Sequence, residues 1–187
     1  MKKMMPLLIL FFVLLCLAFY VTYDNARTDN AYKQSWELDS KYPKIEIYGT
    51  EQPVNLEIVN TDNTKTKLTI SGNISKTAIK SIQLTKLSNS YLYVPLSKHG
   101  FRLYTASFGK DTLTAKLELA KDVKKYDVFL DTIVGEINVT VPKSFDGKYK
   151  VMLSSGAEIK EIPETNEKSD STIKIDAYSD VTIRKGE

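Results

Sequence analysis

The chain has 187 residues, 26 basic and 23 acidic, with one His and one Cys. That size suits one domain plus an appendage, and 42% hydrophobic with 26% charged residues excludes a disordered chain and a polytopic membrane protein. A single Cys excludes a disulfide framework and cysteine zinc sites, and a single His excludes poly-histidine metal sites. Away from Lys2 and Lys3 the charges nearly balance, which argues against a nucleic-acid partner, since phosphates need a basic face.

Residues 1–3 read as a short cytoplasmic tail. Met4 to Val21 carries no charge. At 1.5 Å per residue it spans about 27 Å, enough for a bilayer core. Tyr20 and Tyr23 suit an interfacial belt, so the predicted transmembrane anchor covers 4–23. Lys2 and Lys3 precede it, and Asp24 and Asp29 follow. The positive-inside rule then keeps the amino terminus in the cytoplasm and places the rest outside the cell, as in a single-pass membrane protein. A cleaved signal peptide is the competing reading. Its candidate sites are poor, because Ala18 lies inside the apolar run and Ala26 has bulky Tyr23 upstream. Cys16 follows Leu15, which does not suit a lipoprotein.

Residues 24–43 read as a polar stalk that turns into the domain near Trp36 and Leu38, and 44–187 as an extracytoplasmic all-β domain. KIEIYG, VNLEIVN, TKLTISG, SIQLTKL, YLYVPL, TLTAKLELA, YDVFL, EINVTV, YKVML, AEIKEI, TIKIDA and DVTIRK alternate with period two. GTEQP, NTDNTK, SGN, SKHG, FGKD, KSFDGK and SSG separate them as turns. No amphipathic helix of ordinary length is evident. Val151, Leu153 and Ile159 recur as Ile173, Ile175 and Val181, an offset of 22 in the numbering. Val128, Leu130 and Ile137 make an imperfect third copy. Such a step suits the coils of a β-solenoid-like roll, which stack to bury their inner faces. Evenly spaced strands of an antiparallel β-sandwich would give the same pattern.

The order KIEIYG, VNLEIVN, LYVPL, GEINVTVP, KVMLSSG and a closing VTIRKG resembles the LiaG-like group of adhesin-type β-domains, common in the Firmicute cell envelope. Ala157 and a Glu-rich loop stand where that group shows cleaner Gly-rich repeats. The resemblance covers about residues 36–186. It implies a membrane-anchored accessory or interaction protein, in some members tied to envelope-stress operons, with no catalytic residue to carry over.

Candidate chemistry is sparse, and no catalytic, cofactor-binding or metal residue is expected. Ser107 and Lys110 fit S-x-x-K, but its S-D-N and K-T-G companions are missing. His99 has no nucleophile elbow to serve. Glu158, Glu161, Glu164 and Glu167 recur every three residues with Asp170 behind, yet Lys160 and Lys168 interleave and no calcium loop appears. Asn73 and Asn138 begin glycosylation sequons with no bearing in a bacterium. The candidate surface contacts are Tyr91 and Tyr93, which share one face of a strand, and the basic cluster Lys121, Lys124 and Lys125. The expected function is non-enzymatic. It is an envelope accessory protein with a membrane or envelope protein partner, and the alternative is an adhesin or cell-wall-polymer binder.

Overall fold

The computed structural model describes residues 4–97 and 111–186. Helix α1 (Met4–Ala26) comes first, with no share of its apolar window buried. Then follow β1 (Asn30–Leu38), β2 (Lys44–Thr50), β3 (Val54–Asn60), β4 (Thr66–Ile74), helix α2 (Lys76–Ile82), β5 (Lys86–Leu87) and β6 (Tyr91–Pro95). The carboxyl-terminal part adds β7 (Leu113–Leu119), β8 (Asp127–Thr132), β9 (Ile137–Val141), β10 (Lys148–Leu153), β11 (Ile159–Glu161), β12 (Thr172–Ala177) and β13 (Val181–Lys185).

The strands form two mixed sheets. Sheet A runs β1-β4-β7-β3-β9-β13-β11, and sheet B runs β10-β12-β8-β2-β6-β5. Alternation places one face of most strands inward, while the short β5 and β11 are exposed throughout. In β9, Ile137, Val139 and Val141 are buried while Asn138 and Thr140 are exposed. Ile45, Ile47, Leu130 and Ile175 from sheet B join Leu56, Leu117, Val139 and Ile183 from sheet A in one core. This all-β domain is two-layered as a sandwich is, but most of its ladders are parallel. Only β1 with β4, β4 with β7 and β5 with β6 are antiparallel among the described pairs. The antiparallel sandwich expected as the alternative is therefore not what forms.

Each of β2–β3, β6–β7, β8–β9, β10–β11 and β12–β13 gives one strand to sheet B and the next to sheet A. These pairs lie in the same order in both sheets. Sequential pairs are not always neighbours. The β2–β3 pair sits between β6–β7 and β8–β9, and the β12–β13 pair sits between β8–β9 and β10–β11. A continuous solenoid, coil following coil, is thus not formed. Val128, Leu130 and Ile137 do face Ile173, Ile175 and Val181 across the ladders, and Ile159 faces Val181. In β10, however, Tyr149 and Val151 face Ile173 and Ile175, two residues from the expected register. A slip of two keeps the same face inward, so hydrophobic alternation is blind to it.

Two further expectations change. The stalk holds β1, which pairs with β4 over nine residues and buries Trp36 and Leu38. SIQLTKL is mostly helix and turn rather than strand. Ser75 caps α2, its hydroxyl accepting from the Ala78 N–H at 3.0 Å. Ala78, Ser81 and Ile82 then bury at helical spacing. In β2, Gly49 lies at φ +71° where the register against β8 shifts, and its N–H donates to Asp131 Oδ2 at 3.0 Å. A Cβ there would sit 2.1 Å from Ser97 Oγ, which glycine avoids.

Candidate functional site

The outer face of sheet B carries the densest chemistry on the described surface. In-register pairing lines up Lys150, Lys174, Phe129, Glu46, Tyr93 and Lys86 in one row across the strands. Leu92 and Val94 point into the core, which turns Tyr91 and Tyr93 outward, where both are half-buried. Lys174 Nζ stands 4.6 Å from the Phe129 ring centroid, and Lys86 Nζ 5.9 Å from that of Tyr93. Tyr48 lies beside Tyr93, centroids 6.1 Å apart. The Tyr91 hydroxyl donates to Glu46 Oε2 at 2.9 Å. Burial first, and then this carboxylate, push the Tyr91 phenol up to about 12. The Tyr93 phenol is also raised, by burial and then by Tyr48, Glu46 and Asp131. These phenols stay neutral donors at physiological pH. The face is an array of rings with cations at its margins, suited to packing on sugar rings or on apolar side chains.

The lysine cluster is elsewhere. Lys124 and Lys125 line a cleft of about 380 Å³ with Asn60, Ser144, Asp146 and Asp170, while Lys121 does not line it. The cleft lies where sheet A strands end and sheet B strands begin. Lys125 is paired with Asp170, whose carboxyl it holds below the usual range by hydrogen bonding and charge. Asn60 Nδ2 donates to Ser144 Oγ at 3.1 Å, and Asn166 Nδ2 donates to Asp146 Oδ2 at 2.8 Å. Tyr126 and Phe145 also line the cleft, their ring centroids 5.3 Å apart, and Tyr149 packs on Phe145 at 5.5 Å. The structure therefore does not bring the tyrosine pair and the lysines into one site.

Helix α1 joins the domain at the opposite edge. Ala26 and Thr28 lie with Thr50, Gln52 and Leu96, where sheet B strands end. Strands of five to seven residues separate the two edges by about 20 Å. Lys76 pairs with Asp24 Oδ2 at 2.7 Å, Thr77 Oγ1 donates to the Asn25 carbonyl at 3.3 Å, and the Asp111 N–H donates to Thr28 Oγ1 at 3.0 Å. Only Arg27 to Asp29 separate α1 from β1.

Of the acidic run, Glu158 pairs with Lys160, and Glu161 with Arg184 at 2.6 Å. No group of three metal-ligating side chains stands together among the described residues. His99, Ser107 and Lys110 lie outside the described residues. The row on sheet B was half legible, since alternation exposes Tyr91 and Tyr93. Its other members come from strands far apart in sequence.

No family model and no curated protein matches the chain, so the LiaG-like group stays a resemblance. Among solved structures, one described as a putative cell adhesion protein from Clostridium sporogenes is 12% identical with a TM-score of 0.37, covering 84% of this chain and 100% of that one. A putative adhesin from Parabacteroides merdae is 13% identical with a TM-score of 0.35, covering 85% of this chain and 78% of that one. At these values the likeness decides neither fold nor function.

Proposed function

We propose that this chain is a single-pass membrane protein, held by α1, whose β-domain outside the cell is a non-catalytic interaction module of the envelope. One observation carries the reading. A helix long enough to cross a bilayer, with none of its apolar window buried, runs through three residues into a folded domain that grips its last turn. Such a connection leaves no reach. The domain works within the layer next to the membrane, and its anchor raises its local concentration against a membrane protein or other envelope component there. The near-balanced charge suits a protein partner over nucleic acid. The stacked parallel strand pairs read as a reordered solenoid-like roll, whose outer face on sheet B is the contact surface. That row of rings favours a second reading, in which the same face binds a cell-wall glycan.

The test uses intact cells. Tyr178→Cys, at an exposed position beside that face, is made in a Cys16→Ser chain and treated with a membrane-impermeant thiol reagent. Labelling before lysis is expected, and labelling only after lysis refutes the outward topology. A photo-crosslinker at Phe129 then separates partners. Capture of one membrane protein supports the first reading, and attachment to wall material alone replaces it with the second.

A further inference from the structure

Residues 76–90 contain Lys76, Lys80 and Lys86 and no carboxylate, although acidic and basic residues nearly balance overall. The same segment exposes Leu84 at 62% and Leu87 at 52%, while α2 turns Ala78 and Ile82 inward. Leu84 extends the exposed side of α2. The N–H of Leu84 donates to the Ser81 carbonyl at 2.9 Å and that of Thr85 to Ile82 at 3.0 Å, so the helical turn runs on past Ile82. Lys76, Lys80 and Leu84 then recur every four residues and share one face. The first of these meets α1. Lys76 is bonded to Asp24 at 2.7 Å, which raises its pKa, and the neighbouring Thr77 Oγ1 donates to the Asn25 carbonyl at 3.3 Å. The start of α2 thus lies alongside the last turns of the anchor. Among the described residues Lys80 has no carboxylate partner.

We propose that the segment from α2 to β5 is a second membrane contact, in which Leu84 and Leu87 enter the headgroup region of an anionic bilayer while Lys80 and Lys86 meet its phosphates. The inference rests on the reading of α1 as a membrane anchor. Two exposed leucines among lysines are costly in water and favourable at an interface, where apolar side chains bury and ammonium groups stay hydrated near anions. Because the anchor already holds the domain at the surface, this contact need not capture it from solution. It would orient the domain, pointing the Lys124 cleft away from the bilayer and leaving the sheet B face at its side.

The test reconstitutes the full chain, with Cys16→Ser, into phosphatidylcholine vesicles with or without phosphatidylglycerol. An environment-sensitive fluorophore is attached through Leu84→Cys, Leu87→Cys, Lys124→Cys or Val13→Cys, one position at a time. Phospholipids carrying a nitroxide near the headgroup or deep in the chain act as quenchers. Shallow quenching at 84 and 87, strengthened by phosphatidylglycerol, is expected, with none at 124 and deep quenching at 13. Lys80→Gln is expected to shift the docked-to-undocked ratio at 84 roughly fivefold towards undocked, the effect of one charge near an anionic surface. An unquenched label at 84 with a deeply quenched label at 13 refutes the contact and leaves the anchor standing. Quenching at neither position refutes both, and equal quenching at 84 and 124 refutes the orientation.

Discussion

Trp36 separates a folded β1 from a polar stalk. It is the single Trp, 8% exposed, paired with Leu68 in the ladder to β4 and packed into the core. Truncating such a residue to Ala removes its transfer energy and leaves a cavity, about 3–5 kcal/mol together. Domains of this size have about 5–15 kcal/mol in total, so the loss is a large fraction. With a urea slope near 2 kcal/mol/M, Trp36→Ala lowers the midpoint by about 2 M. The assay is urea unfolding of the full chain in mild detergent, followed by far-ultraviolet circular dichroism. Trp36 itself supplies the companion signal. Its native emission is blue-shifted and moves red on unfolding. An emission as red in buffer as in urea, with an unchanged midpoint for Trp36→Ala, refutes β1 as part of the core.

The Tyr126 hydroxyl is buried without a partner among the described residues, so Tyr126→Phe raises stability by about 1 kcal/mol at neutral pH in the same assay. A loss of that size would show the hydroxyl to be bonded. Burial raises the Tyr149 phenol to about 12, against about 10 in an unfolded chain. Its contribution is fully present below pH 10, and as pH rises from there to 12 the unfolded state sheds a proton that the fold retains. Stability then falls by about 1.4 kcal/mol per pH unit for this group. Urea melts across that range show a shallower fall in Tyr149→Phe, and an identical slope refutes the cause. Gly135, at φ +101° between β8 and β9, leaves a Cβ only 2.3 Å from Pro53 N. Gly135→Ala costs about 3 kcal/mol or more, read as a drop in urea midpoint, and a neutral outcome refutes the close crossing.

Much of the strand content was legible because burying one face of a strand writes period two into the sequence. Ile45 and Ile47, or Ile137, Val139 and Val141, need no neighbour to declare themselves. Helix α2 was hidden because the two-residue step from Ile82 to Leu84 mimics alternation, while its actual signals were a Ser75 cap and inward Ala78. Residues 30–38 looked like a stalk because an edge strand with one solvated face is mostly polar, and only Trp36 and Leu38 carry its burial. At the candidate site, Tyr91 and Tyr93 could be read as outward. Phe129, Tyr48 and Lys174 could not be joined to them, since strands β2, β6, β8 and β12 meet only through the ladders.

The sequence alone determined the apolar helix, the all-β class and the inward face of most strands, because each depends on local periodicity and composition. Only the tertiary structure decided the parallel pairing, the register of β10 and the stacking order of the strand pairs. Neighbouring strands present equivalent apolar faces, and a pairing between distant segments leaves no local mark. The separation of the tyrosine row from the lysine cleft follows from that stacking, as does the grip of α2 on the end of α1.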